Sequence, residues 1–256
     1  GLVFRPGRPV MSQTPIAAVV LAAGKGTRMG SDLHKVLHPL AGRPMLDHLL
    51  DSLDELGASQ RVLIVGAGRE QITRAYPNET TALQEPQLGT AHAVQMAGPA
   101  LKAFHGVVLV LYGDVPLVTT ATMRRLCKAV DATNAMAVLG FRPNDTRSYG
   151  RLVTDAKGGL ERIVEHAEAT DGERSIGLCN SGIVALRSDI LWPLLATVKN
   201  DNSKGEYYLT DLVALARADG HSVACVEADE DEVTGVNSQA ELAALEQRLS
   251  RVGGMR

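Results

Sequence analysis

The most constraining feature of this sequence is an alternation between short apolar runs and longer amphipathic segments. We interpret three runs as strands buried on both faces: IAAVVLAA (16–23), RVLIVGA (61–67) and GVVLVLYGD (106–114). Segments with helical spacing separate them, as in PMLDHLLDSLDELG, where Pro44 stands at a first-turn position and Gly57 marks the end. GTAHAVQMAGPALKAF and TTATMRRLCKAVDAT are interpreted as two further helices. This rhythm predicts an α/β fold with a mostly parallel central sheet and helices on both faces.

A change of rhythm after AMAVLGF (135–141) indicates a second, smaller structural unit. YGRLVTDAKGGLERIVEH (149–166) has the pattern of two strands joined by a turn at AKGG. The segments that follow are predicted to be a strand in CNSGIVAL, a helix in GEYYLTDLVALARADG, a strand in SVACVEA and a closing helix in NSQAELAALEQRLSRV. We therefore expect the second half to build a small antiparallel lobe over one edge of the sheet.

Composition and charge narrow the class of protein. With 256 residues, 45% of them apolar, the chain can bury one substantial core, or one core with a small attached lobe. The net charge of −3 offers no general attraction to nucleic acid or to an anionic membrane, so we expect neither as a partner. No apolar stretch reaches the roughly 18 residues that a membrane-spanning helix requires.

The cysteines and the first residues bear on the cellular setting. Cys127, Cys179 and Cys225 are far apart and odd in number, which favours a reducing cytoplasm over a disulfide framework or a zinc site. The opening GLVFRPGRPV lacks the apolar core of a signal peptide. We interpret residues 1–14 as a disordered leader or cloning remnant, followed by one domain over 15–237 and a C-terminal helix over 238–256.

The segment LAAGKGTRMG (21–30) follows the first apolar run and combines glycines with cations. A dinucleotide fingerprint needs glycine where Met29 stands, and a P-loop needs Ser or Thr where Gly26 stands. The loop can still cradle phosphate, because glycine backbones let N–H groups converge on an anion and Arg28 offers a fork of donors. Lys35 adds a point charge shortly downstream. An ordinary glycine turn with solvated cations is the alternative.

A second candidate site residue is Asp114 in LYGDVPL, at the end of another buried strand. Because the carboxyl ends of parallel strands meet at one edge of a sheet, Asp114 is expected near the glycine loop. A carboxylate there is a hard oxygen ligand suited to Mg²⁺ that is shared with phosphates. The alternative is an aspartate that caps a helix or lies in a loop.

Three histidines, His34, His38 and His166, raise the question of a transition-metal site. His34 and His38 are four residues apart, but no third ligand is evident and Lys35 between them would repel a cation. The sequence therefore does not favour a histidine metal site.

Several short motifs follow one another in a fixed order along the chain. They are LAAGKGTRM, HKVLHPLAGRPM, EPQLGTAHA, LYGDVPL, YGRLV, IVEHAEAT, NSGI, GEYYLTD and GVNSQAEL. In this order, the chain resembles the uridyltransferase half of the bacterial bifunctional N-acetylglucosamine-1-phosphate uridyltransferase/glucosamine-1-phosphate acetyltransferase family. The resemblance runs from Ile16 to Leu249 and implies a Rossmann-like nucleotidyltransferase fold with a sugar-binding lobe. IVEHAEAT, GEYYLTD and GVNSQ are the motifs that favour the amino-sugar member.

The resemblance also implies roles for individual residues. Backbone groups that would wrap the nucleotide are those of Leu21, Ala22, Ala23 and Gly24. The implied catalytic cations are Arg28, on the triphosphate and the departing pyrophosphate, and Lys35, on the α-phosphate. Residues that would read the uracil edge are Gln84, Gly89 and Thr90. Residues that would line the site beside Asp114 are Tyr112 and Gly113. Residues that would hold the amino sugar are Gly150, Glu165 and Asn180. The implied ligands of Mg²⁺ are Asp114 and Asn237.

Some of these residues have structural alternatives when each is considered alone. Glu165 could be a solvated strand carboxylate, Asn180 a turn residue, and Asn237 the cap of the last helix. Their joint occurrence in family order favours the functional interpretation. His34 departs from the family pattern, which more often has proline before the lysine.

The reaction implied by the resemblance joins UTP and N-acetyl-α-D-glucosamine 1-phosphate into UDP-N-acetylglucosamine and pyrophosphate, for cell-envelope precursors. Family members usually continue into a left-handed β-helix that carries the acetyltransferase and holds a trimer together. This chain contains no such repeats, so we expect no acetyltransferase activity and a monomer or weak dimer. The last helix resembles the arm to that domain, or packs back on its own core through Leu242, Leu245, Leu249 and Val252.

Other functions remain as alternatives on the sequence alone. A sister nucleotidyltransferase would share the phosphate machinery and differ in the base or the sugar phosphate. A non-catalytic sensor of nucleotide sugars would not need both Arg28 and Lys35. An NAD-dependent oxidoreductase lacks its glycine spacing here, and only Glu70 follows the second strand as a ribose-binding acid.

Overall fold

The computed structural model describes residues 14–24 and 26–253. Its strands are β1 (Ile16–Leu21), β2 (Pro39–Leu40), β3 (Arg43–Pro44), β4 (Gln60–Val65), β5 (Thr80–Leu83), β6 (Val107–Tyr112), β7 (Asn134–Phe141), β8 (Arg151–Thr154), β9 (Leu160–Val164), β10 (Cys179–Arg187) and β11 (Ser222–Ala228). Its α-helices are α1 (Met45–Leu56), α2 (Arg69–Ala75), α3 (Thr90–Gln95), α4 (Thr120–Lys128), α5 (Asp171–Arg174), α6 (Ser188–Leu195), α7 (Asp211–Ala218) and α8 (Gln239–Gly253).

A central sheet organises the molecule, with strand order β11-β7-β10-β6-β1-β4-β5. Every neighbouring pair in this row is parallel except the two pairs that β10 makes, with β6 and with β7. The antiparallel strands β8 and β9 attach to the sheet through β10, and β2 and β3 form a separate hairpin. The predicted mostly parallel sheet with a small antiparallel extension is confirmed.

Helices cover both faces of this sheet, as predicted. In β1, Ala17 and Val19 point into one buried cluster, which includes residues of α3, α6 and α7. Their neighbours Ala18 and Val20 point into the opposite cluster, which includes residues of α1, α2 and α4. All four side chains are fully buried, which explains why the strand is apolar throughout rather than alternating.

Helix α1 illustrates how the sequence specifies its own boundaries. Pro44 lies at the N-cap, one position before the predicted first turn, because it still pairs with Pro39 in the small hairpin. Gly57 ends the helix in the left-handed conformation with φ +77°, and its N–H donates to Leu53 O and Asp54 O. The face formed by Met45, Leu46, Leu49, Leu50, Leu53 and Leu56 is buried.

Several elements differ from the sequence-based predictions. The helix predicted over GTAHAVQMAGPALKAF ends at Gln95, and turns follow in the segment that contains Gly98 and Pro99. The helix predicted from GEYYLTD begins only at Asp211, because Tyr207 instead exchanges backbone hydrogen bonds with Leu88 and Ala91. Elements that the sequence analysis did not predict are β2, β3, β5, β7, α2, α5 and α6.

The last helix packs on the domain itself. Its residues Leu242 and Leu245 are buried, and Leu249 packs against the same cluster. The other members of this cluster include Met29, Leu40, Met45 and Val236. The stripe on α8 therefore covers the chain's own core. The side chain of Val252 and residues 1–13 of the predicted leader lie outside the described residues. Within the described ranges, no helix combines the length and apolar character needed to cross a bilayer.

Candidate active site

The glycine loop leaves β1 at the carboxyl edge of the sheet. Ala22 N–H donates to Ile64 O at 2.9 Å, so the chain continues along β4 beyond the end of the strand. The side-chain amide of Gln87 donates to Ala23 O at 2.7 Å. Gly26 has φ +77°, and a Cβ there would lie 2.6 Å from Lys35 Cβ. The loop therefore lies directly against the side chain of Lys35, which requires glycine on steric as well as conformational grounds; Lys25 is outside the described residues.

Lys35 and Asp114 meet at this edge of the sheet. Lys35 begins a short 3-10 helix, Lys35–Leu37, and Asp114 lies two residues after the end of β6. Lys35 Nζ is 2.8 Å from Asp114 Oδ2, with the two side chains 15% and 24% exposed. The ion pair is therefore largely shielded from water, while each group retains a face toward solvent.

The neighbouring histidines make hydrogen-bond contacts with nearby backbone groups. His34 is fully buried, and its Nδ1 accepts from Val36 N–H at 3.3 Å, which caps the 3-10 helix. His38 Nε2 contacts Leu33 O at 3.2 Å, and His38 Nδ1 contacts the Gln239 amide at 3.4 Å. These contacts account for both ring nitrogens of His38 without a metal.

A second segment, Gln84–Thr90, lies beside the glycine loop. Gln84 is only 4% exposed, and its side-chain amide nitrogen donates to Gly89 O and contacts His92 Nδ1, each at 3.0 Å. Gly89 has φ +112°, and a Cβ there would clash with Tyr207 O. Thr90 Oγ1 accepts from Leu209 N–H at 2.9 Å. The segment is thus held by a hydrogen bond within itself and by contacts with the chain around Tyr207.

These segments enclose a cleft of about 370 Å³, which we term the first cleft. Its lining residues are Leu21, Ala22, Ala23, Gly24, Lys35, Val36, Gln84, Gln87, Gly89, Thr90, Ala93, Tyr112, Asp114, Glu206 and Tyr208. The structure therefore brings together ten of the residues that the sequence analysis singled out. Gly113 lies behind the wall: its N–H donates to Leu21 O, and a Cβ there would lie 2.9 Å from Val36 Cγ1.

A second cleft, of about 220 Å³, adjoins the first through Tyr112 and Asp114. Its lining residues are Tyr112, Asp114, Val115, Phe141, Arg147, Tyr149, Ser181, Val233, Gly235, Asn237 and Glu241. Val236 N–H donates to Asp114 O at 2.9 Å. Because Asn237 is the next residue in the chain, this bond also holds Asn237 close to Asp114 in space. Asp114 and Asn237 therefore face the same cleft.

The end of α8 next to Asn237 has its own cap. Ser238 Oγ accepts from Glu241 N–H at 3.2 Å, so Ser238 caps the first turn, and not Asn237 as one interpretation of the sequence had it. Glu241 Oε2 accepts from Asn237 N–H at 2.5 Å. The Asn237 side chain makes no hydrogen bond with any described residue, which leaves its amide oxygen available to a ligand in the second cleft.

The three residues implied in sugar binding form a cluster at the border of the second cleft. Asn180 N–H donates to Gly150 O at 2.8 Å, and a Cβ on Gly150 would lie 3.5 Å from Glu165 Oε2. The neighbours Tyr149 and Ser181 line the cleft itself. The strand β10 has an irregular register between Asn180 and Val184, which is typical of bulges beside functional sites.

Tyr112 connects the two clefts. Its hydroxyl donates to Gly182 O, within the irregular part of β10, at 3.2 Å. Burial raises the pKa of the Tyr112 phenol well above its usual value, and the nearby negative charge of Asp114 raises it further. The phenol therefore remains protonated and acts as a hydrogen-bond donor.

Arg28 is the other implied catalytic residue, and it is not among the described residues that line the two clefts. It lies in the 3-10 helix Thr27–Met29 and is exposed. Met29 beside it is buried, and Met29 O accepts from the Gln239 amide at 3.2 Å. The loop is thus tied to the segment that carries Asn237.

Other lining residues were not singled out from the sequence. In the first cleft they include Val36, Gln87, Glu206 and Tyr208, of which the last two belong to the quoted GEYYLTD motif. In the second cleft they include Arg147, Tyr149, Ser181 and Glu241. GEYYLTD could have been found as a site segment, had it not been interpreted as a helix. Arg147 belongs to no motif.

Comparisons with known proteins agree with this fold. A solved nucleotidyl transferase from Methanothermobacter thermautotroptrophicus (Mth528) superposes with a TM-score of 0.62 and 20% identity, covering 93% of this chain and 99% of that chain, which establishes a shared fold. The protein named "Bifunctional protein GlmU" of Rhizorhabdus wittichii is 53% identical over 252 residues, 96% of this chain and 56% of the relative. The protein of the same name from Rhodospirillum rubrum is 54% identical over 235 residues, 91% of this chain and 52% of the relative.

The chain thus spans about half the length of the curated relatives that it matches. A family model described as "MobA-like NTP transferase domain" matches residues 18–255, which is nearly the whole chain. The chain belongs to the family of MobA-like NTP transferase domains.

Proposed function

We propose that the chain is an N-acetylglucosamine-1-phosphate uridyltransferase, which converts UTP and N-acetyl-α-D-glucosamine 1-phosphate to UDP-N-acetylglucosamine and pyrophosphate. The observation that carries this proposal is the first cleft, in which the glycine loop, the Lys35–Asp114 pair and the segment from Gln84 to Thr90 share one cavity. Sequence identities of 53% and 54% to proteins named GlmU support the same function. The adjoining second cleft offers a separate place for the sugar phosphate.

The proposed reaction requires little proton transfer by the protein. An oxygen of the sugar phosphate attacks the α-phosphorus of UTP, and the bond to the pyrophosphate oxygen breaks in line. The attacking oxygen is already anionic, so the reaction needs no general base. Catalysis then depends on positioning two anions that repel each other and on neutralising the charge that develops, as Lys35 in the first cleft would do.

Asp114 and Asn237 have the donor chemistry of a magnesium site. Asp114 Oδ2 pairs with Lys35, but the second carboxylate oxygen of Asp114 and the Asn237 amide oxygen make no hydrogen bond with the described residues, and both residues line one cleft. Hard oxygen donors of this kind suit Mg²⁺, with phosphate oxygens and water completing the shell. These two residues would hold the ion, and the ion would neutralise phosphate charge when bound.

Gln84 supports the choice of uracil. Because its amide nitrogen already donates to Gly89 O, the orientation of the amide is fixed and its oxygen is the atom left to accept. Uracil presents a ring N–H donor on its pairing edge, whereas cytosine presents an acceptor at the same position. An accepting amide in the first cleft would therefore favour UTP over CTP.

The test is an assay of pyrophosphate release across the four ribonucleoside triphosphates and dTTP, each with several sugar 1-phosphates, in Mg²⁺ and in EDTA. We expect the highest rate with UTP and N-acetylglucosamine 1-phosphate in Mg²⁺, and loss of activity in EDTA. A preference for another base or sugar phosphate would identify a sister nucleotidyltransferase instead. Tight binding of UDP-N-acetylglucosamine without any turnover would indicate a sensor.

A further inference from the structure

Arg147 lies on a turn at the mouth of the second cleft. Tyr149 N–H donates to Thr146 O at 3.2 Å, which makes Arg147 the first central residue of a four-residue turn. The side chain lines the same cleft as Asp114 and Asn237. It is exposed, and it makes no ion pair or side-chain hydrogen bond with any described residue.

The backbone of Arg147 is held in an unfavourable conformation. Its φ is +41°, and the only other non-glycine residue with positive φ in the described ranges is Ala41, in the hairpin between β2 and β3. A left-handed conformation is unfavourable for a non-glycine residue, so glycine or asparagine would be the less strained choice at this turn. Such strain concentrates at functional sites, where a particular side chain is needed.

The turn is rigidly supported from behind. Arg151, which is 2% exposed, donates to Thr146 O at 3.3 Å and to Thr146 Oγ1 at 2.9 Å. The ring of Tyr149 packs edge-on against Phe141, with centroids 5.0 Å apart. Asp145 Oδ1 accepts from Arg147 N–H at 3.0 Å. The guanidinium of Arg147 is therefore presented from a fixed backbone, as a preorganised binding group requires.

The charges of the second cleft favour an anionic ligand as the partner of this guanidinium. The two carboxylates of this cleft each have one partner, since Asp114 Oδ2 pairs with Lys35 and Glu241 Oε2 accepts from Asn237 N–H. Among the described lining residues of this cleft, Arg147 is the only lysine or arginine. A phosphate monoester that enters the cleft must lose part of its hydration, and Arg147 is the lining cation placed to replace it.

We propose that Arg147 binds the phosphate of the sugar 1-phosphate in the second cleft and thereby selects a phosphorylated sugar over the free sugar. This inference rests on the proposed function. It makes Arg147 a residue for binding the second substrate, whereas the first cleft and Lys35 serve the nucleotide.

The test compares Arg147→Ala, Arg147→Gly and Arg147→Lys with the wild type in steady-state kinetics. Loss of a charge-assisted hydrogen bond should raise KM for N-acetylglucosamine 1-phosphate by about 10-fold or more in the Ala and Gly variants. KM for UTP should change less than about 2-fold, and the Lys variant should be intermediate. Arg142→Ala is the matched control, because Arg142 pairs with Glu227 at 2.7 Å and does not line either cleft.

Two results would overturn the role of Arg147. One is an equal rise in KM for UTP and for the sugar phosphate; the other is wild-type behaviour of Arg147→Gly, which would assign the effect to the strained backbone. If the wild type releases no pyrophosphate, the proposed function fails separately. Calorimetric titration of the same variants with N-acetylglucosamine 1-phosphate and with N-acetylglucosamine then decides: the wild type must prefer the phosphorylated sugar, and Arg147→Ala must lose that preference.

Discussion

Lys35 Nζ lies 2.8 Å from Asp114 Oδ2 across the floor of the first cleft, although 79 residues separate the two in the chain. The pair joins the loop after β1 to the end of β6, which are neighbouring parallel strands. Gly26 packs against the stem of Lys35, so the ammonium group is held at one place by two separate contacts. This arrangement preorganises positive charge at the edge of the sheet before any anion binds.

The first prediction concerns the charge of Lys35. Lys35→Met keeps the aliphatic stem that packs on Gly26 but removes the ammonium group. We expect turnover in the uridyltransfer assay to fall by on the order of 10²-fold or more, because charge that develops at the phosphate is no longer neutralised. Loss of a partly exposed ion pair should lower the free energy of unfolding by only about 1 kcal/mol or less.

The matched control for this prediction is Lys102→Ala, since Lys102 is exposed and lies outside both clefts. It should retain wild-type turnover and an unchanged midpoint in urea denaturation. Wild-type turnover in Lys35→Met would remove Lys35 from the proposed mechanism.

The second prediction separates two glycines of the same loop. Gly26 and Gly30 have φ of +77° and +63°, so alanine at either position pays a strain of about 1 kcal/mol. A Cβ at Gly26 would also meet Lys35 Cβ at 2.6 Å, whereas nothing lies within 4 Å of a Cβ at Gly30. Gly26→Ala should therefore displace Lys35 and lower turnover by on the order of tenfold or more, while Gly30→Ala keeps turnover and loses only stability.

Turnover and the urea midpoint, measured on both glycine variants, check this prediction. Equal losses of turnover in the two would mean that general loop strain, and not contact with Lys35, governs activity.

The sequence predicted three strands that are buried on both faces and amphipathic helices such as α1 and α8, and it missed several elements that are stabilised by distant contacts. β1, β4 and β6 are continuous apolar runs, so their strand character can be predicted from the local sequence. β5, in contrast, is the half-polar edge strand TTAL, and its pairing with β4 supplies what its composition lacks. The short helix α3 ends early for a local reason, since Gly98 and Pro99 follow within a turn or so.

The site could be predicted where a motif ends a buried strand, as at Gly24 and Asp114. Asn237 lies more than a hundred residues later, and tertiary contacts such as the hydrogen bond from Val236 N–H to Asp114 O bring it near. Arg147 has no local signal at all, because its position depends on a turn fastened by Arg151. Placements of this kind depend on tertiary contacts that no spacing rule encodes.

The third prediction concerns pH and the start of β7. Backbone N–H groups of Asn134 and Thr133 donate to Asp131 Oδ1 at 2.7 and 2.8 Å, and these bonds hold the pKa of Asp131 below its usual value. A depressed native pKa stabilises the fold above the unfolded-state pKa, and that stabilisation disappears as pH falls through the native pKa. The gap in urea midpoint between wild type and Asp131→Ala should therefore be constant near neutral pH and shrink below about pH 4.

Asp131→Asn is the control for this pH dependence, because it keeps an accepting oxygen and cannot ionise. Its gap to Asp131→Ala should not change with pH over the same range. A gap between wild type and Asp131→Ala that grows on acidification would contradict the depressed pKa.

The fourth prediction separates metal binding from helix capping in two adjacent residues. Ser238 Oγ caps α8 through Glu241 N–H, whereas the Asn237 side chain makes no hydrogen bond with the described residues. Ser238→Ala should lower the free energy of unfolding by about 1 kcal/mol, the usual cost of a lost N-cap. Asn237→Ala should leave the urea midpoint nearly unchanged and raise the Mg²⁺ concentration for half-maximal activity by about tenfold or more.

Ser238→Ala is thus expected to change stability and not the Mg²⁺ response, and Asn237→Ala the Mg²⁺ response and not stability. Stability is measured by urea denaturation in EDTA, so that metal binding does not contribute; the Mg²⁺ response is measured as activity and, separately, as the shift in melting temperature on adding Mg²⁺. Asp114→Asn should resemble Asn237→Ala in both Mg²⁺ measurements, because the two side chains face one cleft. If Asn237→Ala instead lost stability and kept the wild-type Mg²⁺ response, Asn237 would be a structural residue and the proposed pair of ligands would be wrong.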